Sequence, residues 1–155
     1  MKKFLFWIAA TRFGSWVMKT VFSRVDPIIF RMTGGRFTLA GPVMITYLIL
    51  TTTGRKSGQQ RSVQLVYTDV DGVPHIVASN FGQQHHPAWS HNLMTNPNAI
   101  MELEGKTVAV TAVRLSDQEK EAIWETLVAN VPNYTVYKSR TDRNLQVYRL
   151  EQSVN

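Results

Sequence analysis

The 155 residues contain no cysteine. Disulfides, thiolate catalysis and cysteine-ligated zinc or iron–sulfur centres are therefore excluded. No apolar run is long enough to cross a bilayer: residues 4–10 are seven apolar side chains behind Met1-Lys2-Lys3, where a span needs about 20. That run also sits at the bottom of the range for a signal-peptide core, and Thr11-Arg12-Phe13 gives no small-x-small cleavage site. Internal repeats, low-complexity tracts and interdomain linkers are missing too, so one domain with a sizeable core is expected. Acids are scarce at the start. Residues 1–61 hold ten Lys/Arg against a single acid, Asp26, a net +9. Residues 62–155 hold seven Lys/Arg and ten Asp/Glu, a net −3. So uneven a distribution implies a local anion-facing surface, for an anionic membrane, a polyanionic cofactor or a nucleic acid. No nucleic-acid-binding motif accompanies the charge, so no nucleic-acid partner is expected.

What is present reads as helix, then hairpins. Phe6, Ala10, Phe13, Val17 and Val21 recur at helical spacing, with Arg12, Ser15, Lys19 and Ser23 on another face. Residues 1–24 are therefore expected to hold an amphipathic helix that Asp26-Pro27 ends. Such a helix can lie in a membrane interface, or pack on the protein's own core or on the partner of a homodimer. Packing is weighed slightly ahead. Thr33-Gly34-Gly35 and Gly41-Pro42 mark a loop. Strands are expected over 43–52, 61–68 and 73–79, the last two joined at Asp71-Gly72. A loop over 80–87 and a short helix over 88–95 follow, stopped by Asn96-Pro97. A second hairpin runs over 99–103 and 107–115 through Glu104-Gly105. Ser116-Asp117-Gln118-Glu119 is a capping box for a helix to about residue 129. Pro132 breaks that helix, a tyrosine-containing segment follows, and 145–150 can form a last strand. Five or six hairpin-connected strands with few helices imply a mainly β, α+β fold: a small antiparallel barrel over 25–155, with the N-terminal helix and two or three further short helices.

The chemistry concentrates in three places. Thr51-Thr52-Thr53-Gly54-Arg55-Lys56-Ser57-Gly58, with Arg61 close behind, is a hairpin turn presenting cations and hydroxyls, suited to phosphate or carboxylate. It lacks the order and the following helix of a Walker A loop, and taken alone it reads better as a basic, solvated turn with no ligand. Ser79-Asn80-Phe81-Gly82-Gln83-Gln84-His85-His86-Pro87-Ala88-Trp89 leads from a strand into a helix whose first N–H groups are open to a ligand. Trp89 and Asn92 share one face of that helix, either to pack on a planar ring and bond its edge, or as core and turn-capping residues. Tyr134 and Tyr137 could donate protons or line a pocket, although tyrosines at this spacing more often pack. No metal site is expected, because adjacent His85 and His86 point apart with no Asp, Glu or Cys nearby to complete a set. No Gly-x-Ser-x-Gly nucleophile motif is present.

Leu50-Thr-Thr-Thr-Gly-Arg-Lys-Ser-Gly58, Ala78-Ser79-Asn80-x-Gly82, His86-Pro87-Ala88-Trp89-Ser90-His91-Asn92-Leu93, Asn96-Pro97, Pro132-Asn133-Tyr134-x-x-Tyr137 and Arg140-Thr141-Asp142-Arg143 together resemble the deazaflavin-dependent nitroreductase and quinone reductase family. The resemblance covers about residues 25–150, in matching order and spacing. It implies a split β-barrel of the FMN-binding type that uses coenzyme F420 to reduce quinones, nitroaromatics or similar acceptors, with FMN a weaker candidate. Carried over residue by residue, it implies that Arg55, Lys56 and Arg61, with Ser57, hold the coenzyme's phosphate and glutamate tail. Ala78, Ser79, Asn80, Pro87, Trp89 and Asn92 would position its ring, and Ser79, Tyr134 and Tyr137 would line the acceptor side and supply a proton. The chain departs from the family at Asn80, where several members carry lysine, at Val131 (tyrosine) and at Gln146 (proline). A cytoplasmic protein is implied, or one peripheral on the inner face of the cell membrane. Two other classes stay open: a non-catalytic barrel holding a lipid or other apolar ligand, and an FMN- or haem-binding relative.

Overall fold

Alternation of apolar and polar side chains puts one face of each strand inside a barrel. A computed structural model describes residues 23–33, 37–38, 41–42 and 46–153. The expected helix over 1–24 lies almost wholly outside them. The elements are α1 (Ser23–Met32), the two-residue strands β1 (Phe37–Thr38) and β2 (Gly41–Pro42), β3 (Tyr47–Thr53), β4 (Gln60–Val70), β5 (Val73–Val77), α2 (Ala88–Thr95), β6 (Asn98–Leu103), β7 (Lys106–Arg114), α3 (Asp117–Asn130), α4 (Asn133–Ser139) and β8 (Val147–Gln152). Strands β3 to β8 close into one antiparallel barrel in the order β3-β4-β5-β8-β7-β6, which leaves no continuous open sheet edge. Leu48, Leu50, Ile76, Val110 and Leu150 fill its interior, each almost completely buried.

Two outer layers cover the barrel. On one side α1 packs against β4, with Phe30 edge-on to Tyr47 of β3 at 6.3 Å and Arg31 paired with Glu102 of β6. Ile49, opposite Glu102 in the register, is almost completely buried. On the other side Leu127 of α3 and Tyr134 and Tyr137 of α4 pack on Val77 and Val147 as a second core.

Most boundaries fall within two residues of expectation, and the exceptions have identifiable causes. Helix α1 runs through Asp26-Pro27 instead of ending there. Proline's fixed φ is compatible with a helix; the ring forfeits the bond to the Ser23 carbonyl and crowds it in the first turns of α1, and Pro27 is buried. Gly41-Pro42, expected as loop, pairs with Phe37–Thr38. Strand β5 stops at Val77 because the Ser79 N–H turns back onto the Val77 carbonyl, at 2.8 Å. The tyrosine segment is helix α4. The capping box forms as expected, with the Ser116 hydroxyl accepting from the Glu119 N–H and the Glu119 carboxylate accepting from the Ser116 N–H. Asp71-Gly72 closes its hairpin with both residues at positive φ, as a tight primed turn requires.

Candidate functional site

Antiparallel closure brings together, at one barrel end, the ends of β3, β5 and β7 and the starts of β4, β6 and β8. The basic turn, the 78–87 loop, α2 and the 140–146 connection all meet there. That end carries Arg55, Lys56, Arg61, Arg114, Arg140 and Arg143 against Asp117 and Asp142. The turns at the opposite end carry Asp69, Asp71 and Glu104 with only Lys106. Folding thus converts a basic N-terminal third into a field along the barrel axis, drawing in Arg114, Arg140 and Arg143 from the acidic part of the chain.

Gly54 starts the basic turn, donating to the Gln59 carbonyl at 2.7 Å and accepting from the Gly58 N–H at 2.8 Å. A Cβ on Gly54 would stand 2.8 Å from Ser57 Oγ and 3.0 Å from the Gln59 carbonyl, so the tight turn leaves no room for one. Arg61 faces Thr52 across the hairpin and bonds Gln59 Oε1, while Ser57 Oγ accepts from the Gln59 N–H. Arg55 and Lys56 are exposed, and among the described residues neither has an ion-pair partner. Asn92 fixes the turn. Its Oδ1 accepts from the Arg55 N–H at 3.1 Å and its Nδ2 donates to Thr52 Oγ1 at 3.0 Å. Two such bonds contribute about 0.5–1.5 kcal/mol each and tie α2 to the cations.

Helix α2 plugs this barrel end. Trp89 is 7% exposed, edge-on to Tyr148 at 5.8 Å, and belongs to the inner core. Ser90 Oγ, Gln146 Oε1 and the Tyr148 hydroxyl form a buried triangle that joins α2 to β8. Of the other residues named from the sequence, Ala78 is wholly buried and Pro87 is the half-buried N-cap of α2.

The 78–86 loop is strained. Asn80, Phe81 and Gly82 stand in succession at φ 45, 56 and 75°. The two with side chains cost about 1–2 kcal/mol each, less for asparagine. Gly82 is required, since a Cβ there would meet the Tyr137 carbonyl at 2.8 Å and Arg140 Cβ at 2.9 Å. Asn80 Nδ2 donates to the His85 carbonyl at 2.9 Å. Ser79 is half-buried, and its hydroxyl makes no hydrogen bond to a described residue.

Tyr134 and Tyr137 lie in the second core, each 5% exposed. Burial pushes both phenols above their ordinary range, strongly for Tyr134; for Tyr137 a hydrogen bond with Asn133 and the nearby Arg140 oppose it. The family resemblance implied that the basic turn and α2 serve one coenzyme, and the structure sets them side by side through Asn92. Sequence reasoning missed the support: Thr52, Gln146, Tyr148 and above all Arg143, which donates to the carbonyls of Gln83 (2.7 Å), Ala78 (2.9 Å) and Ser79 and to His86 Nδ1 (3.1 Å). Arg143 stood in the motif pattern without a role, because spacing along the chain does not reveal which carbonyls a guanidinium will find.

Comparison with known proteins bears on this geometry. A family model described as F420H(2)-dependent quinone reductase matches residues 22–152. An F420H(2)-dependent quinone reductase of Mycobacterium tuberculosis is 36% identical over 127 residues, covering 80% of this chain and 85% of its own. A solved F420-H2-dependent reductase, FDR-A, superposes with a TM-score of 0.63 at 34% identity, over 68% of this chain and 94% of its own. A second solved chain, a domain-swapped dimer, superposes with a TM-score of 0.64 at 32% identity, over 83% and 97%.

Proposed function

The chain belongs to the F420H(2)-dependent quinone reductase family, and we propose that it reduces a quinone at the cation-rich, α2-plugged end of its barrel. It is an oxidoreductase, and its cofactor is coenzyme F420. The observation that carries the placement is the pair of exposed cations, Arg55 and Lys56, without an ion-pair partner among the described residues, on a turn pinned by Asn92. Exposed guanidinium and ammonium groups beside a tight glycine turn fit an anionic coenzyme. Arg55, Lys56 and Arg61, with Ser57, would hold its phosphate and glutamate tail. Asn80 and Pro87 would border its ring, supported from beneath by Ala78, Trp89 and Asn92. Bound in its reduced form, the coenzyme supplies a hydride equivalent.

A quinone that accepts hydride also takes up one proton, so a hydroxyl beside the acceptor is needed. Ser79 is the best placed of the three hydroxyls named from the sequence, because its hydroxyl makes no hydrogen bond to a described residue and the side chain is half-buried. Tyr134 and Tyr137 are buried with raised pKa values and would shape the acceptor side by packing. Nitroaromatics are a second acceptor class, proposed from the family resemblance. A lipid carrier is disfavoured, since core side chains fill the barrel that would hold the lipid. In a fluorescence titration the protein should bind oxidised F420 saturably in the micromolar range and leave FMN unbound. With reduced F420 and a water-soluble naphthoquinone, Ser79→Ala should lower kcat at least about tenfold, and Tyr134→Phe should stay within about threefold. FMN binding without F420 binding would sink the assignment, and a Tyr134→Phe collapse at parental stability would move the proton donor.

We also propose peripheral contact with an anionic membrane through residues 1–24. Net charge of +9 over residues 1–61 supports this, as do Val25, Ile28 and Met32, which are 38, 58 and 81% exposed on one face of α1. No helix among the described residues is long and apolar enough to cross a membrane. Co-sedimentation with anionic liposomes should weaken with salt and vanish when residues 1–24 are deleted. Undiminished sedimentation of the deletion would exclude that segment as the anchor.

A further inference from the structure

Arg143 spends its guanidinium in an unusual way. Four of its five N–H donors go to one loop: Nε to the Gln83 carbonyl, Nη1 to the Ala78 carbonyl and His86 Nδ1, and Nη2 to the Ser79 carbonyl. Among the described residues it pairs with no carboxylate, although it is only partly exposed. The loop it grips contains the three consecutive left-handed residues Asn80, Phe81 and Gly82, a conformation that local sequence does not favour. The remaining anchors come from the same stretch of chain. Gln84 bonds the Arg140 carbonyl and Thr141 Oγ1, Gly82 seats against Tyr137, and Phe81 stacks edge-on to Tyr137 at 5.8 Å.

We infer that Arg143 is a positioning residue of the reductase: its planar fork holds the 78–86 loop in the strained shape that presents Ser79 and Asn80 to the coenzyme ring. The inference rests on the proposed placement of that ring. Geometry, and not charge, is the operative property. Three carbonyls and one imidazole nitrogen lie where a fork reaches all of them and a single ammonium cannot. His86 must be unprotonated at Nδ1 to accept the fourth bond. Burial, Arg143, His91 and Arg114 all lower its pKa, and these are the titratable and charged groups that act on it.

Lysine at position 143 separates the two properties, since it keeps the cation and loses the fork. Arg143→Lys and Arg143→Gln should both raise the Kd for oxidised F420 at least tenfold. Both should also speed amide exchange across 78–86 at least tenfold, with Tm within a few degrees of the parent. A purely structural role would move Tm and Kd together. An Arg143→Lys protein that binds F420 like the parent, or whose 78–86 amides exchange no faster, overturns the inference. Should both Arg143 variants fail to fold, His86→Ala removes one of the four bonds, and unchanged exchange over 78–86 in that variant overturns it equally. If the parent itself bound no F420, the function proposed above would fall, while exchange in Arg143→Lys would still decide whether the fork holds the loop.

Discussion

Arg55→Ala with Lys56→Ala is expected to weaken F420 binding at least about a hundredfold while leaving Tm unchanged. Both side chains are exposed and without an ion-pair partner among the described residues, so their removal breaks no described contact within the fold. A hydrogen bond between a charged group and an anion contributes about 1.5–3 kcal/mol, and solvent exposure argues for the low end. Two at the low end make about 3 kcal/mol, slightly more than two factors of ten in Kd. The backbone N–H of Arg55 stays bonded to Asn92 in the double variant, so the turn keeps its shape and only the charge is lost. The remaining affinity should depend less on salt than the parent's. Fluorescence titration at two ionic strengths measures both quantities. A double variant with parental Kd would place the coenzyme's anionic groups away from Arg55 and Lys56, with Arg114 and Arg140 further cations at that barrel end.

Trp89→Ala is expected to cost about 3–5 kcal/mol of stability, as for truncation of other large buried aromatics. For a chain of this length that corresponds to a fall of about 6–20 °C in Tm. The reason is local: the indole closes the barrel end over Tyr148, and its loss opens a cavity beside the Ser90–Gln146–Tyr148 triangle. Trp89→Phe separates packing from recognition. It should keep most of the stability and bind F420 within about threefold of the parent, because the indole supports the site without forming its surface. Calorimetry and titration of the two variants decide the point. A tenfold loss of affinity in Trp89→Phe at parental Tm would show that the indole touches the ring.

The sequence by itself determined every element that depends on local chemistry. The hairpin turns follow from Asp71-Gly72 and Glu104-Gly105, the start of α3 from the Ser116–Glu119 capping box, and the stop after α2 from Asn96-Pro97. Five or six hairpin-connected strands, with Val63, Leu65 and Tyr67 alternating along β4, pointed to the barrel. The cluster Gly54-Arg55-Lys56-Ser57-Gly58 was legible as a basic hairpin turn because its two glycines and two cations are neighbours in the chain.

Tertiary structure alone decided what those pieces touch. Whether Trp89 faces a ligand or the core turned on Tyr148, 59 residues later in the chain. Asn92 became the pin of the basic turn only because α2 crosses the barrel end beside Thr52. Helix α1 continued past Pro27 because burial against the barrel outweighed one lost backbone bond. The left-handed run at Asn80–Gly82 contradicts local preference and persists because Arg143, some 60 residues away, binds the carbonyls around it. Turns and caps are settled by bonds spanning a few residues, which a sequence displays directly. Contacts that span 40 to 65 residues exist only once the barrel has closed.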